Sequence, residues 1–278
     1  MKAVCFGEIL YDRFPDGDNL GGAAMNCAWH IRQLGATVAM VSAVGDDELG
    51  SASLDTLKHA GIDFTHVGVR PESTGIVDIV LNNGQPNYTI RENVAWDYIT
   101  RPNEPVTGDL LYFGTLAQRS RMNRATLNAL LENPFAHRFF DVNLRQTYYS
   151  QSTIHDGFAH ATVVKMNEEE WTEVRAMLGN DDQHTLIQRF DLHALIITLG
   201  DRGAELFTPD EHVTAQSTPV ELVDAVGAGD AFSAVFCVAL MKAMSFAGSL
   251  QRACDVGAYV VQHRGAQVEL PEIFACGG

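Results

Sequence analysis

A glycine-rich turn runs directly into a long apolar segment at Val223–Leu240, V-D-A-V-G-A-G-D-A-F-S-A-V-F-C-V-A-L. Small residues alternate with large apolar ones, a pattern that predicts a buried helix of about four turns. The predicted helix therefore begins within Gly227-Ala228-Gly229-Asp230. Its first N–H groups have no partner inside the helix and carry partial positive charge, and glycine lets a bulky anion approach the backbone. The segment thus predicts a phosphate-binding helix N-terminus.

Asp230 lies in the first turn of this predicted helix, directed toward whatever the N-terminus binds. A carboxylate beside a bound phosphate would repel it, unless the carboxylate also accepts a proton from an attacking hydroxyl. We therefore interpret Asp230 as a candidate general base, and the N–H groups of Gly227, Ala228 and Gly229 as donors to a transferred phosphoryl group. The alternative interpretation is a glycine-rich turn with an acidic N-cap.

Composition narrows the class of protein. A chain of 278 residues with 46% apolar residues can bury one large α/β core. The formal net charge of −16 argues against nucleic acid and anionic membranes as partners, because both attract basic surfaces. The negative charge is compatible with a bound nucleotide, because salt screens distant surface charges and the groups of a local binding site have the larger effect on the phosphates.

The cysteines and the N-terminus indicate the compartment. The five cysteines are widely spaced and form no C-x-x-C pair, so we expect buried free thiols in a reducing environment. The N-terminus is charged too early for a signal peptide, and no apolar run reaches membrane-spanning length. We therefore expect a cytoplasmic protein with no membrane partner. The cysteines are Cys5, Cys27, Cys237, Cys254 and Cys276.

Several motifs resemble those of the ribokinase-like (PfkB) family of carbohydrate kinases and occur in the same order along the chain. D-A-V-G-A-G-D-A-F is similar to the family's C-terminal signature, and G-G-A-A-M-N, continued by L-G-A-T-V-A-M-V-S-A-V-G-D-D-E-L-G, to its first signature. The shorter D-V-N-L-R, N-x-x-E and T-L-G-D-R-G-A segments follow the same order. Ala225 and Val235 stand where the family often has Thr and Gly; these departures concern the cation site and local helix packing and not catalysis. The resemblance covers essentially the whole chain.

The resemblance implies a ribokinase-like three-layer α/β/α fold. We expect a single domain over residues 1–278, with a mostly parallel central sheet and a small β-sheet lid from residues about 10–20 and 66–100. Val67–Arg70, Gly75–Leu81 and Tyr88–Arg91 are short alternating segments, which we interpret as antiparallel lid strands. Such a lid would shield an activated phosphoryl group from water.

The sugar would be held by residues from three parts of the chain. The resemblance assigns Asp12 near the first strand, and Gly22 and Asn26 in the Gly-Gly motif, to the sugar. Polar groups that follow a strand bind ligands in open α/β sheets, so Asn143 and Arg145 of D-V-N-L-R are further candidates, Arg145 for sugar or phosphate. Arg91, at the end of the lid, is the last candidate, with a solvated surface role as its alternative.

The nucleotide and metal candidates lie on the later strands and helices. Asn167 and Glu170 share one face of a helix's first turn and could orient the water shell of Mg²⁺; the alternative is helix capping. Lys165 is a candidate phosphate contact, and Asp224 is a candidate for a monovalent-cation site such as one for K⁺. The resemblance further assigns the ATP site to Thr198, Gly200, Gly203, Cys254 and Gly257, although the last two also suit close helix packing.

These expectations combine into an ATP-dependent sugar kinase that phosphorylates a primary hydroxyl. D-V-N-L-R resembles a family motif that is more usual in fructokinases and 2-keto-3-deoxygluconate kinases than in ribokinases, so the resemblance favours fructose over ribose. Ribokinase, 2-keto-3-deoxygluconate kinase and nucleoside kinase stay open. A non-catalytic sugar or nucleotide sensor on the same fold is the alternative of another class, although a sensor has no need of Asp230. A dinucleotide-dependent oxidoreductase is disfavoured because no G-x-G-x-x-G follows the first strand. The partners expected are a sugar, ATP and, by analogy with relatives that pair through their lids, a second copy of the chain.

Overall fold

A computed structural model describes residues 1–14, 17–82 and 85–274. Cys276 and residues 83–84, which lie between the predicted segments Gly75–Leu81 and Tyr88–Arg91, are outside these residues. The strands are β1 (Lys2–Phe6), β2 (Leu10–Phe14), β3 (Gly17–Gly21), β4 (Thr37–Gly45), β5 (Asp63–Arg70), β6 (Gly75–Asn82), β7 (Gln85–Ile90), β8 (Leu110–Gly114), β9 (His137–Asp141), β10 (Val163–Asn167), β11 (Ala194–Thr198), β12 (Ala204–Phe207) and β13 (His212–Ala215).

The helices alternate with the strands of the larger sheet. They are α1 (Ala23–Gln33), α2 (Glu48–Ala60), α3 (Arg121–Leu131), α4 (Gln151–His160), α5 (Glu168–Met177), α6 (Gln183–Phe190), α7 (Ala228–Met241) and α8 (Phe246–Val260). Short 3-10 turns occupy Ala95–Tyr98, Leu116–Arg119, Gly200–Arg202 and Glu272–Phe274. Among the described residues, no helix has the length and apolarity needed to cross a bilayer.

The larger sheet is mostly parallel, as predicted. Its nine described strands follow the order β13-β12-β11-β10-β9-β8-β1-β4-β5. Neighbours from β5 to β11 pair in parallel, and β12 pairs antiparallel with both β11 and β13. The chain order reverses beside β1, which lies between β4 and β8. Ligands bind outside the carboxyl ends of the strands at such a switch point.

A second sheet has the order β3-β2-β6-β7 in the described part of the chain. β2 pairs in parallel with β6, so this sheet is mixed and not wholly antiparallel as predicted. The assignment of Val67–Arg70 to the lid is wrong, because these residues pair in parallel with β4 at the edge of the larger sheet. They form the second half of an eight-residue strand that begins at Asp63, so their apparent shortness misled the prediction.

Two apolar layers cover the larger sheet. One contains side chains from α1, α2, α7 and α8, and the other contains side chains from α3 to α6. α7 is the predicted buried helix, and every residue of Ala231–Ala239 is buried. A helix that is apolar all round belongs in a protein interior. α7 packs against both α1 and α8, and this burial holds its N-terminus at the carboxyl edge of the sheet.

Candidate active site

The N-terminus of α7 requires a glycine at position 227. Gly227 is the N-cap residue with a φ of 80°, a left-handed conformation that side chains disfavour. A Cβ there would lie 2.5 Å from both Cα and Cβ of Ala266. The first backbone bond of the helix runs from Ala231 N to the Gly227 carbonyl. The N–H groups of Ala228, Gly229 and Asp230 therefore have no partner within the helix and are available to an anion. This set differs by one residue from the predicted one, because Gly227 is the N-cap residue and the helix begins at Ala228.

Asp230 is held by a hydrogen bond from a distant helix. Its Oδ2 atom accepts from Nδ2 of Asn26 at 2.8 Å, and the residue is partly exposed at the wall of a cleft. Burial of the carboxyl, followed by the charge of Asp141, raises its pKa to about 6, against the opposing effects of Asn26, Lys165 and Arg145. A carboxylate with such a pKa is ionised near neutral pH and still accepts a proton readily.

The Gly-Gly motif places Asn26 opposite Asp230. Gly22 has a φ of 104°, and a Cβ there would lie 2.5 Å from the carbonyl oxygen of Glu8. α1 begins at the next residue, where Ala23 N donates to Oε1 of Glu8 at 3.0 Å. Asn26 is then one turn into a helix that packs on α7. Its Oδ1 atom is buried and accepts no hydrogen bond from the described residues, so it can receive one from a ligand hydroxyl.

A first cleft of about 590 Å³ opens between the smaller sheet and the carboxyl edge of the larger one. Its apolar wall includes Leu10, Val77, Ile79 and Ile90 of the smaller sheet. Five of the six predicted sugar residues line it, namely Asp12, Gly22, Asn26, Asn143 and Arg145, together with Gly227, Gly229 and Asp230. The structure therefore collects most of the predicted acceptor residues around the candidate base.

Asp12 presents a carboxylate to the same cleft. Its pKa is raised to about 6, chiefly because it is buried, while the charge of Arg145 opposes the rise and that of Asp224 adds to it. Among the described residues its side chain accepts no short hydrogen bond. The arrangement suits a carboxylate that accepts hydrogen bonds from ligand hydroxyls.

Arg91 does not belong to this group. Its guanidinium donates to both carboxylate oxygens of Asp78 at 2.7 and 2.8 Å, and the residue is absent from the lining of the cleft. Its carbonyl oxygen accepts a hydrogen bond from Arg119. Arg91 therefore joins the smaller sheet to the main body, and its assignment to substrate is corrected.

Two further acidic residues at strand ends were missed. Glu8 lines the first cleft with an exposed fraction of 5%, and burial raises its pKa although its own and the Ala23 backbone N–H groups oppose the rise. Asp141 is fully buried and accepts from Tyr112, Lys165 and Ser233. Both could have been found by the rule already used for Asn143, since each ends or directly follows a parallel strand.

A second cleft of about 670 Å³ lies on the other side of the α7 N-terminus. All five residues predicted for the nucleotide site at strand β11 and helix α8 line it, namely Thr198, Gly200, Gly203, Cys254 and Gly257. Thr198, Ala225 and Gly229 border both clefts. The first turn of α7 therefore separates the two spaces, and a group that crosses from one to the other passes its free N–H groups.

Lys165 and the two residues predicted for Mg²⁺, Asn167 and Glu170, line the first cleft. Lys165 Nζ is 3.1 Å from Oδ1 of Asp141 and 3.4 Å from the Gly229 carbonyl oxygen. Its burial alone would lower the pKa of the ammonium group, but Asp141, Glu170 and Asp230 outweigh this and leave it raised. Lys165 is therefore a fixed positive charge beside the α7 N-terminus, on the side of the first cleft.

Asn167 and Glu170 form a capping box at the start of α5. Oδ1 of Asn167 accepts from Glu170 N, and Oε2 of Glu170 accepts from Asn167 N, both at 2.8 Å. The other oxygen of Glu170 accepts from Leu144 N at 2.7 Å. These oxygens keep lone pairs that can accept from metal-bound water, so the capping interpretation is satisfied and the residues also fit Mg²⁺ held through its waters.

Asp224 has a structural role. Its two carboxylate oxygens accept from Val226 N at 3.0 Å and from Gly265 N at 2.9 Å. The residue lines neither cleft. Asp224 thus ties the segment before α7 to the loop behind Gly227.

Comparison with known proteins agrees with this geometry. The model of the pfkB family of carbohydrate kinases matches residues 3–273. A fructokinase of Rhizobium leguminosarum bv. trifolii is 30% identical over 256 residues, which cover 83% of this chain and 77% of the relative. A crystal structure of aminoimidazole riboside kinase from Salmonella enterica, complexed with aminoimidazole riboside and an ATP analogue, has a TM-score of 0.84 at 22% identity and covers 98% of this chain and 97% of that one.

A crystal structure of a fructokinase from Vibrio cholerae O395, in a form with bound fructose, ADP and calcium ion, has a TM-score of 0.82 at 24% identity. It covers 97% of this chain and 96% of that one. These structures share the fold of the chain described above, with its nine-stranded and four-stranded sheets. The family match spans nearly the whole sequence, and the chain therefore belongs to the pfkB family of carbohydrate kinases.

Proposed function

We propose that this kinase transfers the γ-phosphoryl group of ATP to a primary hydroxyl of fructose. The observation that carries the proposal is the position of Asp230 and the free N–H groups of the α7 N-terminus where two clefts meet. ATP occupies the second cleft with its γ-phosphate at the first turn of α7. The sugar occupies the first cleft with the hydroxyl at Asp230.

The reaction follows from this placement. Asp230 takes the proton of the hydroxyl as the sugar oxygen forms a bond to the γ-phosphorus, and the bond from that phosphorus to the β,γ-bridging oxygen breaks to release ADP. The N–H groups of Ala228, Gly229 and Asp230 donate to the transferred group. Such preorganised donors are typically worth about 3 kcal/mol each of barrier. Lys165 supplies a fixed positive charge beside the same turn, and the smaller sheet excludes water.

Mg²⁺ would be held through water beside Asn167 and Glu170, and when bound it neutralises phosphate charge. We assign no position to a potassium ion, because Asp224, the residue predicted to bind it, lines neither cleft. The choice of fructose is supported by D-V-N-L-R and by the fructokinase relative. Ribose, nucleosides and 2-keto-3-deoxygluconate stay alternatives, because the aminoimidazole riboside kinase shows that this fold also serves a kinase with a different substrate.

A coupled assay of ADP release tests the proposal. The purified chain is offered fructose, ribose, 2-keto-3-deoxygluconate and nucleosides with ATP and Mg²⁺, and kcat/KM is measured for each. We expect the highest value for fructose. A higher value for another acceptor would correct the substrate and leave the kinase mechanism intact, whereas nucleotide binding without ADP release on any acceptor would favour the sensor alternative.

A further inference from the structure

A buried polar cluster lies directly beneath the first turn of α7. At its centre is Asp141, the last residue of β9, with an exposed fraction of 0%. Oδ2 of Asp141 accepts from Ser233 Oγ at 2.7 Å and from Tyr112 OH at 3.1 Å. Lys165 Nζ lies 3.1 Å from Oδ1 and 3.3 Å from Oδ2. None of these contacts is part of the reaction derived above.

Two of the donors link Asp141 to the N-terminus of α7. Ser233 lies one turn into the helix, and its hydroxyl is also 2.9 Å from the Gly229 carbonyl oxygen. Lys165 Nζ lies 3.4 Å from the same carbonyl. The carboxylate therefore contacts two side chains that each also lie close to the Gly229 carbonyl oxygen. Gly229 is one of the residues that border both clefts. A shift of Asp141 or the loss of its charge would therefore displace the first turn of α7, which in the proposed reaction holds the transferred phosphoryl group.

Packing and stability alone do not explain this cluster. Taking two charges out of water costs several kcal/mol for each ion, and well-packed apolar residues of similar volume are often as stable as a buried ion pair. The carboxylate also lies near Asp230, whose like charge it repels. Stability alone therefore gives no reason for burying these charges, which suggests that their positions serve the reaction.

We infer that Asp141 is a positioning residue for phosphoryl transfer: through Lys165 and Ser233 it fixes the first turn of α7, and its negative charge keeps Asp230 a ready proton acceptor. The inference rests on the proposed function, because it gives Asp141 a role in the reaction assigned there to Asp230. It adds a residue that touches neither ligand.

The charges around Asp230 set the direction of the expected effect. After burial, Asp141 is the strongest cause that raises the pKa of Asp230. Opposing it are the hydrogen bond from Asn26 and the positive charges of Lys165 and Arg145. Neutralising Asp141 therefore lowers this pKa and moves the acidic limb of a pH profile to lower pH. The groups facing Asp230 from the neighbouring elements are Asn26 and Cys27 on α1, Tyr112 on β8, Asp141 on β9, Arg145 after β9 and Lys165 on β10.

The test uses Asp141→Asn, which keeps the size of the side chain and removes its charge, and Ser233→Ala, which keeps the charge and removes one link to α7. Ser249→Ala is the matched control for the serine variant. Ser249 is buried on α8 and lines neither cleft, and its hydroxyl donates to the carbonyl four residues earlier at 2.7 Å. Ser233 Oγ lies at a similar distance, 2.9 Å, from the carbonyl oxygen four residues earlier on α7, but its one proton is donated to Asp141.

For Asp141→Asn we expect kcat to fall by on the order of 10², with the acidic limb of kcat at lower pH and with KM for both substrates nearly unchanged. For Ser233→Ala we expect kcat to fall by about tenfold with the acidic limb unmoved. Ser249→Ala should retain the parent kcat. The inference is overturned if Asp141→Asn keeps both the kcat and the pH profile of the parent, or if Ser233→Ala behaves as Ser249→Ala does. If Asp141→Asn does not fold, the serine pair decides.

A second measurement needs no turnover. The carboxyl carbon of Asp230 is followed by carbon-13 NMR against pH, with Asp230→Asn used to identify its signal. We expect a lower midpoint in Asp141→Asn than in the parent, and an unchanged midpoint would contradict the electrostatic part of the inference. If the midpoint differs between the two proteins in this way while the parent phosphorylates no acceptor, the proposed function is refuted. The influence of Asp141 on Asp230 would still be established by that outcome.

Discussion

The amide of Asn26 donates a 2.8 Å hydrogen bond to the carboxylate of Asp230, across 204 positions of sequence. One residue comes from the Gly-Gly motif on α1 and the other from G-A-G-D on α7. The contact forms because the two helices pack together on one face of the sheet. It orients the candidate base and leaves Oδ1 of Asn26 for a ligand, so the Gly-Gly motif and the G-A-G-D motif meet at one carboxylate.

Replacing Asp230 tests its role as the base. Asp230→Asn keeps the side chain in place but removes its ability to take a proton, so we expect kcat to fall by on the order of 10² to 10⁴. ATP binding should persist, because the N–H groups at the α7 N-terminus belong to the backbone. ADP release measures the first effect and calorimetric titration with ATP the second. Turnover near that of the parent would exclude Asp230 as the base.

The pH dependence of kcat follows from the raised pKa of Asp230. The base must be ionised, so kcat should rise with pH, and kcat/KM, which reports the free protein, should rise through a midpoint near the pKa of about 6. The hydrogen bond from Asn26 stabilises the ionised form and lowers this pKa. Asn26→Ala should therefore move the midpoint to higher pH, opposite to the shift expected for Asp141→Asn. pH–rate profiles at limiting and at saturating substrates measure both, and a shift to lower pH in Asn26→Ala would contradict the assignment.

The close contact at Gly227 makes a sharper prediction for stability and binding. In Gly227→Ala the new Cβ collides with the backbone of Ala266. We therefore expect the free energy of unfolding to fall by more than the roughly 1 to 2 kcal/mol that left-handed strain alone costs. ATP binding should also weaken. Gly179→Ala is the control, because Gly179 also has a positive φ, 99°, but open space around it. Chemical denaturation and ATP titration of the two variants separate strain from steric conflict; equal losses would argue against a tight cradle.

Two arginines provide a matched pair for the acceptor site. Arg145 is exposed and lines the first cleft, whereas Arg91 is paired with Asp78 outside its lining. We expect Arg145→Ala to lower kcat/KM by on the order of tenfold to a hundredfold, as the loss of a charge-assisted hydrogen bond would. Arg91→Ala should change kcat/KM little. Steady-state kinetics over both substrates measures the difference, and an equal effect from the two variants would contradict the placement of Arg145.

The local structure that the sequence predicted correctly around the candidate site came from short-range signals. The start of α7 follows from two glycines, an aspartate and a long apolar run, all within a few residues. The capping box of Asn167 and Glu170 is likewise local, since both partners lie in one helical turn. The larger sheet follows from buried strands that alternate with helices.

What sequence could not supply was pairing between distant residues. The alternation in Val67–Arg70 indicates a strand but not the sheet that it joins. Arg91 was assigned to substrate because nothing in its neighbourhood shows that Asp78 lies beside it on the adjacent strand. Lys165 was interpreted as a phosphate contact, and its pairing with Asp141 depends on the register between β9 and β10.

The shared border of the two clefts has a thermodynamic consequence. Gly229 belongs to both, so a nucleotide that orders the first turn of α7 from one side also prepares it for the sugar on the other. Linkage then requires reciprocity: whatever factor ATP contributes to sugar affinity, the sugar contributes to ATP affinity.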